Sequence, residues 1–112
     1  MNRGDIYYVA LDPTVGHETR KTRPCVIVSC DANNVVGQMI TVVPLTSNLA
    51  TTRRIEVVIP KKRSGLPKDS KALVPQIRGV SCMRISGSRA GHVPSELMAE
   101  IDVALKRHLA LD

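Results

Sequence analysis

A chain of 112 residues with 43% hydrophobic and 23% charged side chains has the make-up of one soluble globular domain, spanning residues 1–112, which excludes the disordered and fibrous classes. A core of this size is adequate but not generous, so a partner subunit would help it. The net charge of +6 favours a polyanionic partner, and no apolar run approaches the roughly 20 residues of a membrane span, so a cytoplasmic protein is expected.

Residues 6–11 form a β-rich run with Tyr7 and Tyr8, closed by Asp12-Pro13, a pair suited to a turn. A loop extends from there to about Thr22. Cys25-Val26-Ile27-Val28 is continuously apolar and reads as a strand buried on both faces, ended by Ser29, Asp31, Asn33 and Asn34. Residues 39–45 make a second such strand. A shorter strand at 55–59 stops at Pro60, and 61–70 reads as a basic loop. Short strands are expected around 72–74 and 76–83. Leu97, Met98, Ile101, Leu105 and Leu109 recur at steps of three and four, which places them on one helical face. Ser95 suits the N-cap of this helix, with Glu96 at the positive end of the dipole and Lys106, Arg107 and His108 at the negative end. Short strands followed by one helix indicate a small antiparallel barrel or sandwich with an appended helix.

Cys25, Cys30 and Cys82 are odd in number and form no C-x-x-C pair, so they read as small buried apolar residues rather than a disulfide or zinc framework. No paired carboxylates, Walker or dinucleotide glycine patterns stand out, so no metal and no cofactor are expected. With Tyr7 and Tyr8 as neighbours on one strand, a platform stacking several bases is excluded, and stacking would have to use His or Arg planes.

The loop at 14–23 carries His17, Arg20, Lys21 and Arg23 between two strands, where binding groups usually sit. Arg23 precedes Pro24 and a buried strand, so its backbone is held extended and its guanidinium can grip a phosphate, although an edge salt bridge would explain it equally well. Thr46, Ser47 and Asn48 emerge where the second apolar strand ends, as a hydroxyl cluster or as a turn. A fixed Arg, a loop His and strand-end hydroxyls are the parts that phosphoryl transfer without metal requires.

Six stretches together carry a resemblance: Arg3-Gly4-Asp5-Ile6-Tyr7, Leu11-Asp12-Pro13-Thr14-Val15-Gly16-His17-Glu18, Thr22-Arg23-Pro24, Val43-Pro44-Leu45-Thr46-Ser47, the run from Ser64-Gly65-Leu66 to Asp69-Ser70, and Gln76-Ile77-Arg78. In this order and spacing the chain resembles the MazF/PemK (Kid) toxins of type II toxin-antitoxin systems. The resemblance implies a homodimer of small SH3-like, CcdB/MazF-like barrels. It also implies a metal-independent, sequence-specific endoribonuclease acting on single-stranded RNA, and an antitoxin whose acidic C-terminal segment fills the RNA groove. Arg23 and Thr46 match the family's catalytic positions, and His17 is chemically suited to carry the proton. Arg20, Lys21, Ser47, Gln76 and Arg78 would bind RNA. Pro75 stands where relatives have an acidic residue, and Gly79-Val80-Ser81 replaces their T-I-D, departures that bear on base preference. A non-catalytic toxin of the same fold that binds gyrase is the competing reading, as is an inert nucleic-acid-binding module. The gyrase poisons depend on a C-terminal Trp, and this chain has none.

Overall fold

The computed structural model describes residues 1–18, 21–51 and 55–111. The expected antiparallel architecture is present as one seven-stranded sheet, in the order β4-β5-β3-β2-β1-β7, with β6 also paired to β3. The strands are β1 (Asp5–Ala10), β2 (Thr22–Ile27), β3 (Met39–Thr46), β4 (Glu56–Ile59), β5 (Ser70–Leu73), β6 (Arg78–Ser81) and β7 (Ile85–His92). Helices α1 (Asp31–Val36) and α2 (Lys61–Ser64) are short, and α3 (Ser95–His108) closes the chain.

The continuous apolar run in β2 is buried on both faces, as its composition demands. Val26 and Val28 join the larger core cluster with Ile6, Val43, Leu45, Ile59 and Ile101, while Cys25 and Ile27 join a smaller one with Val9, Leu11, Ile40, Val42 and Val80. The larger cluster is sealed by α3, which buries Leu97, Met98, Ile101 and Ala104; Leu105 packs partly against it and Leu109 is exposed. Each fully buried Leu or Ile contributes about 1.5–3 kcal/mol, enough to hold a helix whose own propensity is marginal.

β3 is the hub of the sheet. One edge pairs with β2, and the other pairs with β6 along Met39–Val42 and with β5 at Leu45 and Thr46. The change of register between β5 and β6 is taken up by a 3₁₀ turn, Val74–Gln76, with Pro75 inside it. The strand expected over 76–83 therefore begins only at Arg78.

Several local expectations are corrected. Ser95 is the first helical residue rather than the cap; Pro94 holds that position, with no side-chain cap bond. The polar run after β2 is not merely a turn but the helix α1, tied back where the Ser29 hydroxyl donates to Asn34 Oδ1 at 2.6 Å and Asn34 Nδ2 donates to the Ser29 carbonyl at 2.9 Å. One helical turn, α2, interrupts the basic loop, and β7 occupies a stretch without strand-like composition. Of the three cysteines, Cys25 is buried, Cys82 is half-buried and Cys30 is exposed. No helix among the described residues is long and apolar enough to cross a membrane.

Candidate functional site

The register of the central strands assembles the site. Cys25 lies opposite Pro44 at the end of the β2–β3 ladder, so Arg23 and Thr46 each lie two residues beyond that pair, at the same end of the two strands. Arg23 also faces Val9 on β1, and Thr46 faces Lys71 on β5. Directly opposed residues share a face, with Cβ atoms about 4.5–5.5 Å apart. Val9 and Arg23 thus share a face of the β1–β2 pair, and Thr46 and Lys71 a face of the β3–β5 pair. Arg23 and Thr46 are both half-buried, in keeping with groups fixed at strand ends.

Cys25 lies two residues along β2 from Arg23 on this face, and burial pushes its thiol pKa up to about 12 against the opposing pull of the Arg78 and Arg23 guanidiniums. A thiol so raised stays protonated at neutral pH and is no nucleophile. Thr46 Oγ1 accepts the Asn48 N–H at 3.2 Å, so the strand-end turn and the hydroxyl site are one structure.

His17, Gln76 and Arg78 line a cleft of about 320 Å³ with Leu11, Pro44 and Pro75. His17 is exposed on a tight turn in which Gly16 has φ +60°, the Glu18 N–H donates to the Val15 carbonyl, and Glu18 Oε1 accepts the Val15 N–H at 2.5 Å. Gln76 Nε2 donates to the His17 carbonyl at 3.4 Å, and Arg78 donates to the Leu11 carbonyl at 3.1 Å. These two side chains, expected to read RNA, thus also hold the loop that carries His17. Lys21 is exposed with φ +65°, a left-handed conformation that a non-glycine residue adopts at some cost, and its carbonyl accepts the Leu11 N–H at 3.0 Å. Arg20 lies outside the described residues, as do Arg53 and Arg54.

Tyr8, Pro24 and Leu45 alternate with Val9, Arg23 and Thr46, and so belong to the opposite face. A second cleft, of about 230 Å³, is lined by Tyr8, Arg23, Ser47, Pro67 and Lys68 among others. The structure therefore gathers His17, Gln76 and Arg78 around one cleft and sets Arg23 with Ser47 around the other. It also gives Tyr8 a surface position, so an aromatic ring is available beside Arg23 where only His and Arg planes were expected.

Sequence reasoning missed Arg84 and Lys71. Arg84 donates to the carbonyls of Ala10 at 3.0 Å and Asp12 at 2.7 Å, anchoring the entry to the His17 loop. Nothing in the composition around Arg84 signals this, since its acceptors are backbone atoms more than 70 positions away. Among the described residues no group of three or more His, Cys, Asp and Glu side chains is placed to hold a metal ion. The arrangement offers a fixed guanidinium beside a hydroxyl, with an imidazole on an adjoining loop: charge stabilisation, hydrogen-bond donation and proton transfer.

A family model described as PemK-like, MazF-like toxin of type II toxin-antitoxin system matches residues 2–109. The chain is 40% identical over 116 aligned residues to endoribonuclease MazF9 of Mycobacterium tuberculosis, covering 99% of this chain and 98% of that protein. Among solved structures, MazF (Form-I) from Deinococcus radiodurans superposes with a TM-score of 0.84 at 24% identity, covering 98% of this chain and 96% of that one, a likeness of fold. An endoribonuclease in complex with its cognate antitoxin, from a mycobacterial species, superposes with a TM-score of 0.76 at 25% identity, covering 100% and 97%.

Proposed function

The chain belongs to the PemK-like, MazF-like toxin family of type II toxin-antitoxin systems, and from that footing we propose that it is an endoribonuclease cutting single-stranded RNA without a metal. The observation that supports this most directly is that Arg23 and Thr46 lie at the same end of the paired strands β2 and β3, each two residues beyond the Cys25–Pro44 pair. In the proposed reaction the 2′-oxygen attacks the adjacent phosphorus and the bond to the 5′-oxygen breaks. The 2′-hydroxyl loses its proton to a base and the departing oxygen gains one, leaving a 2′,3′-cyclic phosphate and a 5′-hydroxyl. Arg23 offsets the negative charge that builds on the phosphate oxygens, and Thr46 donates a hydrogen bond to one of them. His17 carries the proton, because an arginine stays protonated at neutral pH and is a poor base. Arg20 and Lys21 draw in the RNA backbone, and Ser47, Gln76 and Arg78 contact it or its bases.

A cytoplasmic location and an antitoxin with an acidic segment complementary to the basic groove complete the reading. A homodimer belongs to it as well. Val35, Val36 and Met83 stand exposed around the Met39 end of β3, an apolar surface that a second copy would cover.

The test is incubation of purified protein with a long defined RNA in EDTA, followed by mapping of the 5′ ends. Discrete cuts with 5′-hydroxyl termini are expected, and Arg23→Ala or Thr46→Ala should slow them about 10²–10³-fold. His17→Gln should flatten the rate's pH dependence near neutrality. Absence of discrete cuts, or cuts unaffected by both Arg23→Ala and Thr46→Ala, would overturn the reading. Sedimentation of the same protein should give a dimer.

A further inference from the structure

Lys71 stands directly opposite Thr46, yet it is buried. Its side chain is 9% exposed and pairs at 3.0 Å with Glu56, itself 10% exposed. Burying an ion pair costs desolvation that an apolar residue of similar volume would avoid, so the pair calls for an explanation other than stability. Lys71 Nζ also donates to the carbonyl of Thr51. Thr51 lies on the segment that leaves β3 after Thr46, and residues 46–50 of that segment are tied internally. The Ala50 N–H donates to Asn48 Oδ1 at 3.1 Å, and the Asn48 N–H donates to Thr46 Oγ1 at 3.2 Å.

A string of contacts therefore runs from Glu56 through Lys71 and the 48–51 turn to the Thr46 hydroxyl. Because Thr46 Oγ1 accepts from Asn48, its own proton remains available to donate to a further acceptor. The geometry points to Lys71 as a positioning residue that, held by Glu56, clamps the 46–51 segment and thereby fixes the Thr46 hydroxyl for a phosphate oxygen. Lys71 acts through Thr46 and touches no reacting atom. The inference rests on the reading of Arg23 and Thr46 as a phosphate-holding pair. A purely structural ion pair would lower stability when broken but leave turnover of the folded protein unchanged.

A double-mutant cycle separates the two, because coupled residues depart from additivity. Cleavage of a short RNA spanning a mapped cut site is measured for Lys71→Met, Thr46→Ala and the double variant, well below each unfolding midpoint. Lys71→Met is expected to lower kcat about tenfold with KM changed less than about twofold, the pattern of a lost transition-state contact. In the Thr46→Ala background the same change should have no further effect, and Lys71→Arg should restore most of the rate. Should Lys71→Met fail to fold, the pair Lys71→Met with Glu56→Leu removes both charges and takes its place in the cycle. An unchanged kcat in the lysine variant, or additive losses in the double variant, would overturn the inference. Native cleavage in the same assay would leave the Arg23 and Thr46 reading standing.

Discussion

Arg84 holds two backbone carbonyls at the point where β1 becomes the His17 loop, and Arg78 holds a third at Leu11. Guanidinium groups suit this task because their fork of donors can satisfy several acceptors at once. Hydrogen bonds involving charged groups each contribute about 1.5–3 kcal/mol, so Arg84→Ala should loosen the loop by an amount of that order. The expected signature is faster amide exchange at residues 14–18, with exchange in α3 unchanged. Equal protection of the loop in native and variant protein would show that Arg84 does not hold it. Arg23, by contrast, was legible in the sequence: Pro24 and the apolar run after it announce a fixed backbone. What could not be read there is that Thr46 lies at the same end of the neighbouring strand, because the pairing of β2 with β3 is a tertiary fact.

At the scale of elements, β7 is the instructive case. Its sequence, Ile-Ser-Gly-Ser-Arg-Ala-Gly-His, lacks the alternation of a half-buried strand, yet it pairs with β1 at both ends, across an irregularity between Ile6 and Tyr8. The strand exists because β1 offers it an edge, not because of its own propensity. Gly91 is needed there for closeness of approach: a Cβ at this position would collide with the carbonyl oxygen of Ser64 at the end of α2. Gly91→Ala should therefore force β7 and α2 apart and destabilise the fold by about 1–3 kcal/mol, as overpacking does. Urea unfolding would measure it, and a midpoint equal to the native protein's would refute the close contact. α3 shows the opposite case, since its period alone located the helix and its buried face. Only its first residue was misassigned, because Pro94 sets the entry where Ser95 was expected to cap.

For the molecule as a whole, the contacts that join the first strand to the last converge on Asp5, which is 4% exposed. Burial pushes its carboxyl pKa up. The Asn2 N–H at 2.9 Å, His92 at 3.0 Å and Arg89 at 3.3 Å outweigh that effect and hold it below the ordinary 3.8. A carboxyl whose pKa is lower in the folded state stabilises the fold fully above its unfolded pKa and loses that contribution as pH falls through the folded value. Asp5→Asn should thus cost about 1–3 kcal/mol at neutral pH, and its deficit relative to the native protein should shrink as pH falls below 3.8. Urea titrations across that range would show it; a deficit independent of pH would count against the linkage. His92 had offered no sign of this role, since a histidine before a proline reads as solvated loop until Asp5 is placed beside it.

The sequence by itself determined the antiparallel strands other than β7, the buried centre at β2 and β3, the amphipathic helix, the basic composition and the family motifs, because hydrophobic period and turn chemistry act over a few residues. Only the tertiary structure decided which of those residues meet. It brought Arg23 and Thr46 to the same end of the β2–β3 pair, buried Lys71 against Glu56, set Ser47 with Arg23 around one cleft and enlisted Arg84 for the loop. The reason is physical: strand register and long side chains reaching to distant carbonyls depend on the global packing of the chain, which no local pattern encodes.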